Sequence, residues 1–459
     1  MIKFFNRLTK EKQEFVPHNP EFVTMYSCGP TVYSFQHIGN MRAYVFMDFI
    51  RRTLRYNGYK IKGAMNITDV GHLTSDEDEG EDKMLVASQR EKKSPWEIAE
   101  FYSNIFFDDI KKLNIETPEY VLKATDHVNQ MIEYVKQLVE AGFAYETSKG
   151  IYFDVQKFPE YGRLSGIKLE DRKAGARIEV DEEKKHPADF AVWIKAPKEH
   201  IMQWQSPWGM GYPGWHIECS VMGQEYLGKH IDIHTGGIDH VTVHHENEIA
   251  QNDCLADHEV VSFWMELEFL QIDGGKMSKS LGNIYTLDDL AKRGFFALDL
   301  RYFFLTAHYS KMQNFTFEAL QSAKQAKENL VKLLKAHYEA EEKEIDLTEF
   351  KNKFLAAIND DLNMPLALGV LWEMLKQNKN KAVYNQALLF DEVLGLNLKQ
   401  EVETIEKHEV PTEVEELAKE RWQAKQDKNF AKADEMRKQL FEMGYVVKDS
   451  KEGYVIEKV

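Results

Sequence analysis

Cysteine is scarce in this chain. Three residues, Cys28, Cys219 and Cys254, occur in 459, an odd and small number that argues against a disulfide framework. Each is expected to be a small buried hydrophobe or a metal ligand. Long apolar runs are missing too. None approaches the roughly 18 residues of a membrane span, so no membrane association is expected. The start, Met1 to Lys10, has scattered charge and no sustained apolar stretch, so no secretory signal is expected and the cytoplasm is the expected compartment. No fixed-period repeat and no long low-complexity tract appears, which argues against a repeat architecture. Positive charge is in deficit as well. A formal net charge of −17 counts against bulk attraction to nucleic acid, but not against local basic patches around a defined RNA shape. The acidic runs Asp76 to Asp82 and Glu341 to Asp346 read as solvated loops.

What is present is ordinary for a soluble globular chain: 43% hydrophobic and 29% charged residues, with length for about three domains. Segment 21–28 alternates like a strand. Met41, Val45, Phe49 and Leu54 give 38–56 a helical spacing, stopped by Gly58, and 59–67 again reads as a strand. That order implies a βαβ unit and a parallel sheet. Ser94-Pro95-Trp96-Glu97 has the form of a capping box, with helices expected to Leu113 and from Asp126 to Ala141. Residues 150–213 resist a periodic reading and are taken as an insertion of short strands. Strand signals return at 230–234 and 263–272, around a helical stretch from His244. Beyond Leu287 amphipathic helices dominate, at 298–308, 317–338 and between 349 and 394. A charged, structureless link is expected around 401–411. A second capping box at Thr412–Glu415 then opens a small α+β module with strands at 445–448 and 454–457.

Four features carry chemistry. Cys28-Gly29-Pro30-Thr31 leads to His37-Ile38-Gly39-Asn40 at a strand-to-helix junction, where free N–H groups and a positive dipole end suit phosphate; alone it reads as a plain turn with an N-cap. Lys276-Met277-Ser278-Lys279-Ser280, after two glycines, can neutralise a triphosphate and follow charge onto departing pyrophosphate. Alone it is a surface loop, but the two motifs in this order are far more specific together. In His244-His245-Glu246-Asn247-Glu248, His244 and Glu248 share one helix face at i and i+4, so both can face one metal ion. His245 and His240 remain rivals, and a polar helix face explains the run as well. Gly214-Trp215-His216-Ile217-Glu218-Cys219 adds a thiol, but spacing does not show that Cys28, Cys219 and His244 meet.

Taken together, these motifs resemble class I aminoacyl-tRNA synthetases and, within them, the cysteinyl branch. The first signature of that family, "HIGH", stands here as His37-Ile38-Gly39-Asn40, and the second, "KMSKS", is intact at Lys276–Ser280. Cys28–Tyr33, Asn66–Asp69, Gly214–Ser220 and His244–Gln251 extend the likeness over nearly the whole chain. The resemblance implies one Zn2+ per chain held by Cys28, Cys219, His244 and Glu248, leaving Cys254 structural. It implies ATP with Mg2+, its phosphates met by His37 and Asn40 and closed over by Lys276 and Lys279. Thr31, Thr68, Trp215, His234 and Asp239 fall where the family shapes its amino-acid and nucleotide pocket. Two departures stand out. Asn40 replaces a histidine and can donate a hydrogen bond but never carry charge. Residues 71–82 are acidic where many relatives are basic.

The implied reaction joins ATP and L-cysteine into cysteinyl-adenylate and pyrophosphate, then transfers cysteine to tRNA(Cys). Zinc explains the choice over serine, because a soft metal prefers thiolate to hydroxyl. The expected fold is α/β: a Rossmann-like catalytic domain (1–112 and 208–286) around a connective insertion (113–207), too short for a large editing domain. A stem-contact and helical anticodon-binding region (287–400) and a small anticodon-recognition module (411–459) follow. In that module Arg421, Lys425, Lys428, Lys432 and Arg437 either meet the tRNA backbone or form a solvated face. A monomer is expected. Two alternatives stand beside this: a cysteine:small-amine ligase of the same fold, for which the long C-terminal half has no use, and a catalytically silent paralogue, which should have lost the signature lysines.

Overall fold

The computed structural model describes residues 1–71, 82–169, 183–197, 200–275, 277, 282–407, 411–449 and 453–458. Most of the acidic stretch Asp76 to Asp82, and both signature lysines Lys276 and Lys279, lie outside the described residues. Two compact units form, Met1–Asn397 and Leu398–Val459.

The larger unit is organised on a five-stranded, wholly parallel sheet. Its first strand, Val23–Ser27, is buried at every position, as a strand covered on both faces must be. Helix Ile38–Tyr56 follows. His37 caps it by a reciprocal pair: His37 Nδ1 accepts from the Asn40 amide at 3.1 Å, and Asn40 Oδ1 accepts from the His37 amide at 3.2 Å. Gly58, at φ +87°, turns the chain into strand Ile61–Ile67. Strand Tyr120–Lys123 closes that edge. The chain then returns to the other side of Val23–Ser27 with Ile231–Gly237 and Val261–Leu267. The sheet therefore reverses its order between Val23–Ser27 and Ile231–Gly237. Outside the carboxyl ends of strands at such a reversal a crevice opens, and ligands bind there.

The stretch 113–207, expected as an insertion, contributes the edge strand Tyr120–Lys123 to the parallel sheet. A second, antiparallel sheet runs past the expected boundary at 207, in the order Ala144–Glu146, Gly150–Phe153, Phe190–Lys195, Gly209–Pro213, Trp204–Ser206. It packs around the fully buried Trp193. The helices after Leu287 include Ala297–Leu305, Phe317–Tyr338 and Lys381–Leu394. Arg301, fully buried, ties them to helix Ile38–Tyr56. It donates to Asp48 Oδ2 at 2.6 Å and to the carbonyls of Leu394 and Leu113 at 2.8 and 2.9 Å. A Cβ on Gly395 (φ +66°) would lie 2.3 Å from that guanidinium, so only glycine fits there.

In the smaller unit, helices Thr412–Gln426 and Phe430–Glu442 pack with the antiparallel pair Tyr445–Asp449 and Tyr454–Lys458. Two expectations fail here. The expected structureless link is largely helix, Leu398–Lys407: Leu398 and Val402, at i and i+4, are both buried and anchor it despite its charge. The capping box at Thr412–Glu415 does not form. Thr412 already lies inside the helix, and Pro411, which has no side-chain acceptor, occupies the cap. Among the described residues no helix is long and apolar enough to cross a membrane.

Candidate active site

The two central strands end side by side at the reversal point, where the Cys28 amide donates to the Thr235 carbonyl at 3.1 Å. Helix Trp215–Leu227 brings Cys219 to the same place, and helix His244–Ala256 brings His244 and Glu248. One donor atom from each of Cys28, Cys219, His244 and Glu248 lies within 4.8 Å of all the others, and all four residues are buried. A second set, Cys28, His234, His245 and Glu248, meets the same condition and shares two members with the first. The rivalry that the helix spacing left open is thus physical: the histidines crowd one pocket.

Hydrogen bonds fix them. His234 Nε2 lies 2.9 Å from Glu248 Oε2, and His216 Nδ1 lies 3.0 Å from His244 Nδ1. His245 sits between Glu266 Oε1, at 3.2 Å from Nδ1, and Cys28 Sγ, at 3.7 Å from Nε2. The Trp215 ring lies 4.3 Å from that of His244. Glu248 Oε1 lies 3.0 Å from His244 Nε2 as an ion pair, but is buried without a hydrogen bond. A buried carboxylate oxygen with no hydrogen bond, beside two thiols and an imidazole, fits a divalent metal of zinc's preferences.

Electrostatics point the same way. Burial would raise the Cys28 thiol, but a hydrogen bond from Cys219 and the neighbouring His244 and His240 outweigh it and hold Cys28 well below the usual thiol range. Burial and the Cys28 charge push Cys219 up instead. Burial would also raise Glu248, but His234 and His244 bring it down to about 2. His244 rises to about 9: burial opposes its charge, and Glu248 and Cys28 overcome that. Cys28, His244 and Glu248 thus favour one another's charged forms, and a metal ion held by them would displace the thiol and imidazole protons.

The cluster opens into a cleft of about 1110 Å³. Cys28, Cys219 and His244 line it, as do Thr31, His37, Asn40, Trp215 and Asp239; His234 and Glu248 lie beneath. Thr31 bridges to Thr68, whose amide donates to the Pro30 carbonyl at 3.0 Å. Gly29 is obligatory in that turn, since a Cβ there would stand 1.7 Å from the Asn66 carbonyl oxygen. With Asn40 Oδ1 committed to the helix cap, its NH2 remains as donor. Met277, the described residue of the second signature, also lines the cleft, and its methyl lies 3.3 Å from where a Gly39 Cβ would be. The two signatures therefore meet across the cleft.

A family model described as "tRNA synthetases class I (C) catalytic domain" matches residues 14–325. "DALR domain" matches 353–399 and "Cysteinyl-tRNA ligase anticodon binding domain" matches 407–454. A "Cysteine--tRNA ligase" from Treponema denticola is 43% identical over 98% of both chains. The chain belongs to the cysteine–tRNA ligase family. Relatives of that name from Borreliella burgdorferi (40% identical, 100% of both chains) and Chlorobaculum tepidum (39%, 98% of both) agree. Among solved structures, a Mycobacterium tuberculosis methionyl-tRNA synthetase in complex with methionyl-adenylate superposes with a TM-score of 0.58 over 83% of this chain and 91% of that one. At 16% identity this shows the class I fold alone.

As a class I aminoacyl-tRNA synthetase with an anticodon-binding domain, this cysteine–tRNA ligase family member takes ATP, an amino acid and tRNA. Neither the small-amine ligase nor the silent paralogue is favoured by these matches. Two contributors to the site went unremarked in the sequence. Asn66 Oδ1 accepts from the Gly29 amide at 2.7 Å, and its Nδ2 donates to Thr68 Oγ1 at 3.0 Å. Glu218, pushed up to about 8 by burial, accepts from Thr68 Oγ1 at 2.6 Å. Both lie inside motifs already singled out, next to Ile67 and Cys219, but only the fold shows that they touch.

Proposed function

We propose that Cys28, Cys219, His244 and Glu248 hold a zinc ion that selects L-cysteine for ATP-dependent activation and transfer to tRNA(Cys), the chain acting as a cytoplasmic monomer. The observation that carries this reading is the convergence of those four buried donors at the floor of the cleft lined by His37 and Asn40. The set with both thiols is favoured over its rival, because the rival leaves Cys219 as an unused buried thiol. Bound there, zinc supplies a soft Lewis acid that prefers a thiolate to a hydroxyl.

The chain's own residues do the rest. His37 and the Asn40 NH2, at the N-terminus of helix Ile38–Tyr56, meet the phosphates of ATP, whose negative charge the positive end of the helix favours; Mg2+ would accompany the ATP. Lys276 and Lys279 neutralise the pyrophosphate as it leaves. Thr31, Thr68, Trp215, His234 and Asp239 shape the pocket for the amino acid and the nucleotide, which brings the two reactants together.

The test is pyrophosphate exchange with cysteine and with serine, with and without a zinc chelator, followed by charging of tRNA(Cys). Cysteine-dependent, chelator-sensitive exchange and charging are expected. Exchange with neither amino acid would remove the reading, and exchange without charging would favour the small-amine ligase.

A further inference from the structure

Helices Lys83–Glu91 and Pro95–Lys112 flank the mouth of the cleft, and Lys83, Arg90 and Tyr102 line it together with Phe35. The stretch 83–93 is locally basic in a protein of net charge −17: Lys83, Arg90, Lys92 and Lys93 stand against Glu91, while Glu97 and Glu100 follow on the next helix. Among these cations stand apolar rings. Phe35 is 52% exposed and Phe101 is 40% exposed. Phe35 meets Phe101 at 6.5 Å and Tyr102 at 5.2 Å, both edge-on, so the rings are braced. Lys93 Nζ lies 4.3 Å over the Phe101 ring, and Lys83 Nζ 5.7 Å over Tyr33. Arg90 donates to the Tyr33 carbonyl at 3.4 Å and to the Tyr102 hydroxyl at 3.3 Å, while Glu91 is occupied by both Tyr102 and Arg90.

A solvated helix face would be polar, and a core would bury its rings. Braced, half-exposed aromatics interleaved with cations suit a ligand with flat rings and regular negative charge, which is single-stranded nucleic acid. The patch continues into the cleft, and whatever part of a tRNA enters that cleft must first cross its mouth.

We propose that the Phe35–Phe101 pair, flanked by Lys93 and Arg90, is the platform on which the unpaired bases of the tRNA acceptor end stack as its terminal ribose enters the cleft. This rests on the reading of the chain as a tRNA-charging enzyme. The experiment compares full-length wild type with Phe101→Ala, Lys93→Glu and Phe101→Trp. Each is measured for cysteine-dependent pyrophosphate exchange, for the KM of tRNA in charging, and for affinity toward tRNA shortened by its unpaired 3′ nucleotides. Phe101→Ala is expected to raise the KM for tRNA on the order of 10-fold, with exchange unchanged. Lys93→Glu should raise it with a reduced salt dependence, and Phe101→Trp should restore it. The variants and wild type should bind the shortened tRNA alike. An unaltered KM for tRNA in Phe101→Ala, or an equal loss with shortened tRNA, would overturn the platform. So would a rise in the KM for ATP during exchange, which would assign the patch to the nucleotide. Failure of the wild type to charge any tRNA would instead sink the underlying reading.

Discussion

The two compact units use their interiors in opposite ways. In Met1–Asn397 an extensive apolar core surrounds a pocket where Cys28, Cys219, His234, His244, His245 and Glu248 crowd together, with His234 Nδ1 and Glu248 Oε1 buried and without a hydrogen bond. In Leu398–Val459 the fully buried apolar residues packed together are Val414, Ala418, Leu440 and Val447, and the main buried cation, Arg421, is spent on a two-pronged pair with Asp449. A large core tolerates a costly polar pocket, because its surplus of apolar burial covers the desolvation of those groups. A small one has no such surplus, so its polar groups serve stability.

The comparison can be broken at four points, from the largest effect down. Cys28→Ser removes one soft donor while leaving the core volume nearly unchanged. Bound zinc and cysteine-dependent exchange should fall more than about 100-fold without loss of fold, measured by metal analysis and kinetics on one preparation. Arg301→Met strips Asp48 of one of its two guanidinium partners, Arg52 remaining, and takes the donor from the Leu394 and Leu113 carbonyls; it should cost the larger unit about 3–5 kcal/mol. Hydrogen exchange should locate that loss in residues 1–397 and leave the smaller unit untouched. Leu440→Ala should cost the smaller unit about 2–5 kcal/mol, most of what so small a core supplies. Pyrophosphate exchange is then expected to survive and charging of tRNA to fail; loss of both would mean that the units are not independent.

The smallest effect concerns pH. A hydrogen bond from Arg421, with help from Lys425, holds the Asp449 carboxyl below its ordinary value of 3.8. A depressed folded value means that the stabilisation is complete above the ordinary value and is lost as pH falls through the folded one. Acid should therefore weaken the smaller unit by about 1 kcal/mol, and Asp449→Asn should abolish that dependence. A denaturant midpoint followed from pH 6 to pH 2 measures it.

Local signals were legible wherever the chain decides them locally. The helix Ile38–Tyr56 follows from its apolar spacing, and the box at Ser94 forms as its residues suggest, with the Ser94 amide donating to Glu97 at 2.8 Å. The failures are local signals overruled. Charge hid the helix Leu398–Lys407, whose two apolar anchors suffice once buried, and Thr412–Glu415 has box residues that the helix start does not use. The strand Tyr120–Lys123 is short and half-buried, and nothing in its own residues says which sheet it joins.

The sequence alone determined the chemical repertoire: two thiols, a histidine-rich helix with His244 and Glu248 on one face, and the two signature motifs of the family in order. Helical periodicity and caps are short-range, so they can be read along the chain. Only the tertiary structure decided that Cys28, Cys219 and His244 share one pocket, that a second histidine set overlaps it, and that aromatic rings and cations gather at its mouth. Those contacts join residues far apart in sequence, and they exist because the parallel sheet reverses its strand order between Val23–Ser27 and Ile231–Gly237.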